Sequence, residues 1–567
     1  MPKTRLLFLI VGISSPALAQ GPQPADLVVT HARIYTADAA RPMAEALAVR
    51  GEKIVYVGTE LGAAALTGPQ TQKMDLGGKT VIPGMIDAHG HVLGLGEALR
   101  NVDLTGASSY EEIVARVAAR AKTMHPGEWV VGRGWDQNRW ANTAFPTHEA
   151  LDRAVPDNPV VLSRVDGHAT LVNAKAMQLA NLTAATPDPN GGRIIRDANR
   201  NPTGVLVDNA EGLVGRIVPP LSHDQIRDAL LASVAEQNRL GLTGVHDPGE
   251  PANVVAIYEE LAKAGQLNSR VYVMLSSPDS MFNYFGPNVP AGGQALANYL
   301  KQPQSALYDG HLWIRAIKMY ADGAMGSRGA AMLEQYSDEP GNTGLVRQNG
   351  DQIRRTAIQA LRRGFQVNVH AIGDRGNRMT LDAFEAALDS VPTADHRFRI
   401  EHAQILNYQD IPRFAKLGVI PSMQGSHQTS DMYWILNRIG PGRVLGGYAW
   451  RALLNTGVII PNGSDFPVES PNPLISFHAF FTRQDARGWP PEGWYPEEKT
   501  TRQEAFLSMT LWPAEASFME DVVGTLSAGK FADFVVLDQD IMTAAPNKVL
   551  DTKVEMTVLG GKVVFKR

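Results

Sequence analysis

Val81-Ile82-Pro83-Gly84-Met85-Ile86-Asp87-Ala88-His89-Gly90-His91-Val92 runs from an apolar stretch into two histidines spaced i, i+2. Side chains alternate along a β-strand, so a strand here would direct both imidazoles to one face. They would stand at the C-terminal end of a buried strand, where barrel enzymes keep their chemistry. Paired imidazoles at such a place suit a metal ion. Lys318, His370, His402 and Asp465 each also sit at or just past the end of a strand-like run.

Eight strand-like runs order the chain: 81–90, 242–248, 270–276, 314–322, 365–373, 399–404, 418–424 and 457–465. Amphipathic stretches lie between most of them, such as GDQIRRTAIQALRRG before the fifth and DIPRFAKLG before the seventh. Strand and helix in alternation mean βα units. Eight units predict an α/β fold, a (β/α)8 TIM barrel, over residues 81–519. The first two strands are far apart, so an insertion spans about 105–235, with strands of its own in EWVVGRGWD and PVVLSRVDGHA. Its expected place is over the barrel mouth, as a lid or specificity domain. A structural domain without a substrate role is the alternative. Residues 20–80 and 520–567 alternate apolar and polar positions around Gly-containing turns. Together they predict a small β-sandwich domain built from both termini.

The chain has 567 residues, 44% of them hydrophobic and 20% charged, as in a globular protein. A net charge of −5 argues against nucleic acid or an anionic membrane as the main partner. The expected partner is a small-molecule substrate, and the composition leaves homo-oligomerisation open. Lys3 and Arg5, the apolar run Leu6 to Ile13 and the small-x-small Ala17-Leu18-Ala19 have the pattern of a secretory signal cleaved before Gln20. The run is shorter than the ~20 residues that span a bilayer. The mature protein is therefore expected in the periplasm or outside the cell, free of the membrane. The absence of Cys fits an oxidising compartment and restricts a metal site to His, carboxylate and modified side chains.

Each candidate also has a structural reading. His370 and His402 could be hydrogen-bonded strand-end residues. Asp465, between Ser464 and Phe466-Pro467, could cap a turn. Lys318 lies in the apolar strand AIKMYADG, where a free ammonium is costly to bury. It needs an ion pair with Asp322 or Glu401, or conversion by CO₂ to an anionic carbamate.

As a set, these residues resemble the amidohydrolase superfamily of metal-dependent hydrolases. The likeness covers nearly the whole mature chain, from Gly84–His91 to GTLSAGKFADFVVLD at 524–538. Longer motifs are similar to the YtcJ-like branch, which includes N-substituted formamide deformylases. They are RGWDQNRW (133–140), VDGHATLVNAKAM (165–177), IKMYADGAMGSRGA (317–330), HAIGDRGN (370–377), RIEHAQ (399–404) and NGSDFPVESPNP (462–473). The resemblance implies that His89, His91, His370, His402 and Asp465 are metal-site residues, with Lys318 as a carbamylated bridge (N6-carboxylysine). Where the branch often has Gln-Pro-x-His, this chain has Gln424-Gly425-Ser426-His427, which leaves the role of His427 open.

The implied chemistry is hydrolysis of a non-peptide C–N bond: an amide, a formamide or a cyclic amide. A divalent ion, expected to be Zn²⁺, binds imidazoles and carboxylates and lowers the pKa of water from ~15.7 to near 7. One ion is expected with a free Lys318 and two with a carbamate. Lys318 and His370 belong to the catalytic set, and Asp465 is the expected proton shuttle. Trp135, Asp136, His168, His246, Arg328 and His427 are candidates for substrate contact. An ester or other C–O bond is open to the same chemistry. A barrel that has lost its metal and only binds ligands is the non-enzymatic alternative, against which the full ligand set argues. No Gly-rich phosphate loop follows the seventh or eighth strand, which disfavours a phosphate-gripping isomerase or lyase.

Overall fold

The computed structural model describes residues 23–219, 221–276 and 294–567. The expected leader at 1–19 and its cleavage site lie outside them. Eight parallel strands run in order around a barrel: Met85–Asp87, Leu242–Glu250, Arg270–Ser276, Leu312–Tyr320, Gln366–Ala371, Arg399–His402, Ile420–Gln424 and Asn462–Gly463. Ala88 N donates to Asn462 O at 3.1 Å, and Asp465 N to His89 O at 2.7 Å, which joins the last strand to the first. The fold is a (β/α)8 barrel.

The helices on its outside begin and end where local chemistry dictates. Gly350–Arg363 starts on a capping box of Asn349 with Gln352 and stops at Gly364, whose φ is 80°. It buries Ile353, Ala357, Ala360 and Leu361 against the strands. Ile411–Leu417 has Pro412 in its first turn and ends at Gly418, φ 67°.

The 81–90 run is two strands, not one. Thr80–Pro83 pairs with Phe534–Leu537 and Arg33–Tyr35 in a six-stranded terminal sheet, and only Met85–Asp87 enters the barrel. Gly84 is the joint: a β-carbon there would stand 2.0 Å from Thr243 Oγ1. A second, four-stranded sheet contains Leu27–Thr30, Ala46–Arg50, Lys53–Gly58 and Gln72–Asp75. Leu27, Val29, Ile34, Leu47, Val81, Phe534 and Val558 share a core between the two sheets.

The inserted region carries a six-stranded sheet from Val102–Asp103 to Pro202–Asp208 with its own apolar core, including Leu104, Ile113, Trp135, Leu162 and Val205. The next long helix, His223–Arg239, belongs to the barrel. Its Ile226, Leu230 and Val234 join the barrel core. The inserted sheet therefore ends before the 235 boundary drawn from sequence.

Candidate active site and metal centre

The ends of the first, sixth and eighth strands bring His89, His402 and Asp465 together. One donor atom from each lies within 4.8 Å of the others, and all three residues are buried. The two histidines are aimed from behind. His89 Nδ1 is bonded to the carboxylate of Glu401, and His402 Nδ1 to Gln424 Oε1 at 2.8 Å. Acceptors at both Nδ1 atoms leave each Nε2 as the basic nitrogen. Glu401 is itself held by Arg399, with Nη2 to Oε2 at 3.0 Å.

The HxH pair does not share a strand face. The strand stops at Asp87, and His91 opens the helix Val92–Ala98. The rings still meet, with centroids 5.6 Å apart. His91 Nε2 lies 3.2 Å from Asp465 Oδ1, and its side chain is 32% exposed, against 1% for His89. Asp87, which the sequence reading passed over, fixes this corner. Its carboxylate accepts from His89 N at 3.0 Å, Ser464 N at 3.1 Å and Ser464 Oγ at 2.6 Å.

Two site residues have left-handed backbones. His402 has φ 78° and Asp465 φ 58°. Neither is glycine, so both conformations carry strain that the surrounding bonds must hold, as is common at functional sites.

Burial holds His89 and His370 well below the usual imidazole range and lowers His402 to about 3, so all three are neutral at pH 7. Neutral imidazole is the form that binds metal. Burial would raise the Asp465 pKa, but His91, His89 and His402 overcome it and hold the carboxyl well below its usual range. Asp465 Oδ1 is shut off from solvent without a hydrogen bond of good geometry. A buried carboxylate oxygen ringed by imidazole nitrogens, with His91 Nε2 at 3.2 Å and His89 Nε2 at 3.6 Å, fits a divalent cation.

Lys318 is fully buried, and its Nζ lies 3.2 Å from His89 Nε2. Among the described residues it forms no ion pair. Asp322 instead accepts backbone N–H groups from Ala331 at 2.9 Å, Ile372 at 3.0 Å and Gly373 at 2.8 Å. Burial, opposed by the charges of Glu401 and Asp465, lowers Lys318 to about 8. His370 packs beside the centre, its ring 4.6 Å from that of His402.

The centre opens on a cavity of about 450 Å³ walled by both barrel and insertion. His370, His402, His427 and Asp465 line it from the barrel, and Arg133, Asp136, Arg139, Arg164, Asp166 and His168 from the insertion. His427 Nε2 is 3.5 Å from Asp465 Oδ2. His168 Nδ1 lies 2.7 Å from Asp208 Oδ1, and that bond overcomes burial to raise its pKa. Asp136 faces the cavity while paired to Arg164.

Three of the substrate-contact candidates stand elsewhere. Trp135 is buried in the insertion core with Nε1 donating to Leu162 O at 2.8 Å. His246 is buried behind the centre, its Nδ1 accepting from Arg399 Nη1 at 2.8 Å. Arg328 pairs with Asp338 at 3.0 Å, away from the cavity wall. Glu401, Gln424 and Arg133 are the functional candidates that the sequence reading did not single out. Glu401 entered the sequence reading only as a possible ion-pair partner of Lys318, although its place beside His402 in RIEHAQ was a second signal.

A parallel barrel with a histidine–carboxylate centre at the C-terminal ends of its strands defines the class: a metal-dependent hydrolase. The chain belongs to the Amidohydrolase family, whose profile matches residues 72–565. The YtcJ protein of Bacillus subtilis, assigned to the amidohydrolases by its name alone, is 30% identical over 88% of this chain and 91% of its own. The N-substituted formamide deformylase of Arthrobacter pascens is 28% identical over 96% of this chain and 99% of its own. A metal-dependent hydrolase from Pyrococcus furiosus superposes with a TM-score of 0.70 at 28% identity, over 91% of this chain and all of that one.

Proposed function

We propose that the protein hydrolyses a non-peptide C–N bond in a small molecule, of the amide, formamide or cyclic amide type. The observation that carries this reading is the buried His89–His402–Asp465 cluster opening on a closed-in cavity. The deformylase relative supports the choice of bond. His89, His402 and Asp465 would hold a divalent cation, Zn²⁺ by the chemistry of the donor set, with His91, His370 and Lys318 close enough to complete it. Such an ion supplies Lewis acidity and a nucleophile at neutral pH.

The chain's own groups handle the proton. Asp465 is held ionised, so it accepts a proton from the attacking water and returns it to the leaving nitrogen. His89, His370 and His402 are held neutral and do not compete for that proton at pH 7. His427 Nε2 stands beside the Asp465 carboxylate, in place to bond the substrate carbonyl or the passing proton. Residues of the insertion, among them Arg133, Asp136 and His168, supply part of the cavity wall. The leader-like residues 1–19 support export, with cleavage before Gln20 as the check.

The test is metal analysis of the purified protein, then chelation and re-addition of Zn²⁺, with turnover followed on matched N-substituted formamides, cyclic amides and esters. Activity on C–N substrates that disappears with metal and returns with it is the expected result. Full activity in metal-free protein overturns the reading. Turnover of the esters alone moves the assignment to C–O bonds.

A further inference from the structure

Arg133 lies on the insertion strand Val130–Trp135 and lines the cavity. Its Nη2 donates to Val165 O at 2.9 Å. Its Nη1 lies against the Gly167 turn, where a β-carbon on Gly167 would be 3.4 Å away. Its Nε is shut off from solvent and has no hydrogen-bond partner. Among the described residues no carboxylate pairs with it.

The neighbouring arginine is different. Arg164 reaches Asp136, Asp166 and Gln137 Oε1, the last two at 2.5 and 2.9 Å. Other acids of the cavity wall are also engaged. Asp431 accepts from Tyr448 Oη and from Gln404 Nε2, and Glu469 from Ser430 Oγ at 2.6 Å. Among the described residues the wall presents two guanidinium groups without a carboxylate partner, the exposed Arg139 and the half-buried Arg133, and Arg133 keeps most of its five donors unspent.

A guanidinium does not escape this by losing its proton. Burial lowers its pKa, with Asp465 the strongest of the charges that oppose the shift. Arg133 and Asp465 line the same cavity, so one bound molecule can meet both. A half-buried charge without an ion-pair partner is costly unless a ligand completes it. The planar fork matches a carboxylate through two parallel N–H···O bonds.

We propose that Arg133 is a specificity residue that binds a carboxylate of the substrate, so that the molecule hydrolysed is an amide bearing a carboxylate close to its scissile C–N bond. This rests on the C–N reading above and adds the charge of the substrate to it.

The experiment uses the metal-loaded enzyme and a matched pair, N-formylphenylalanine and its neutral carboxamide, in both turnover and calorimetric binding. The wild type should favour the carboxylate member by about tenfold or more in kcat/KM and in Kd. In R133Q the loss for the carboxylate member should exceed the loss for the carboxamide by a similar factor. R133K, which keeps the charge without the fork, should retain part of the preference. Thermal unfolding of each variant separates these effects from misfolding, and the wild-type preference needs no variant. Carboxylate-selective binding without turnover of either compound supports Arg133 and removes the C–N assignment for this pair. Turnover of both members at equal kcat/KM does the reverse. Equal or absent binding of the two members in the wild type overturns the proposal.

Discussion

His89 and His402 on the barrel side of the cavity are each tied at Nδ1 to a buried acceptor, Glu401 or Gln424, and Glu401 is tied in turn to Arg399. Arg133 and Arg139 on the insertion side line the same cavity, and among the described residues neither forms an ion pair with a carboxylate. The barrel residues are positioned before any ligand arrives. The insertion leaves donors open for a ligand to complete. This is the division expected when rigid strand ends supply the chemistry and an added domain supplies selectivity.

The strongest way to break that contrast is at the shuttle. Asp465→Asn keeps the shape and one acceptor oxygen but removes the base. Its kcat should fall by ~10²–10⁴-fold. Asp465 is also one of the three residues that would hold the ion, so kcat is to be normalised to the metal that the variant binds. Near-normal kcat at full metal occupancy would move the proton to His427, whose Nε2 stands beside the same carboxylate.

Glu401→Gln sharpens the barrel half. It keeps an acceptor for His89 Nδ1 but removes the charge that Arg399 holds. Loss of such an outer partner lowers metal affinity or activity by ~10–100-fold. Competition for Zn²⁺ with a chromophoric chelator reads the change. Unchanged affinity would show that His89 needs no support from behind.

Lys318 supplies a smaller, pH-dependent effect. Carbamate formation uses the neutral amine: nitrogen attacks CO₂, a C–N bond forms and one proton leaves. With its pKa lowered to about 8, the neutral fraction grows as pH rises through that value. It is about a tenth at pH 7 and about half at pH 8, so reconstitution at fixed CO₂ should speed up about fivefold between them. An unperturbed lysine would be almost wholly ammonium at both. If a carbamate bridges metal, Lys318→Ala should lose metal and activity, and short carboxylic acids should restore part of both. Lys318→Arg with normal metal and rate would show that only a cation is needed.

Most of the barrel was legible because each strand is a short apolar run bounded by turn residues, and the helix caps are written in Asn349–Gln352 and Gly364. The break at Gly84 was not legible. The apolar pattern runs straight through it, and only the approach of Thr243 from another strand makes the chain change sheets. The His89–His91 spacing reads as strand alternation, but the strand ends at Asp87 and a turn brings the rings together. Glu401 and His402 are sequence neighbours, which strand alternation assigns to opposite faces. The left-handed backbone at His402 lets both serve one centre, and nothing in RIEHAQ announces that conformation. Arg133 lies in RGWDQNRW, where nothing in the sequence shows that Arg164, and not Arg133, takes up Asp136.

The tryptophan of that motif gives the test with the smallest catalytic effect. Trp135 and Arg133 are two residues apart on one strand, with Gly134 between them at φ 109°. Arg133 faces the cavity, whereas Trp135 packs near Trp140 and Phe145 and donates to Leu162 O. Trp135→Phe keeps an aromatic ring in that core but leaves the Leu162 carbonyl without its donor. A buried acceptor stripped of its partner costs about 1–3 kcal/mol, which chemical denaturation should show as a lowered midpoint with an unchanged slope. Because Trp135 does not line the cavity, kcat and KM measured well below the unfolding transition should stay close to those of the wild type. A raised KM without loss of stability would bring the indole into contact with substrate and erase the distinction between the insertion's core and its cavity wall.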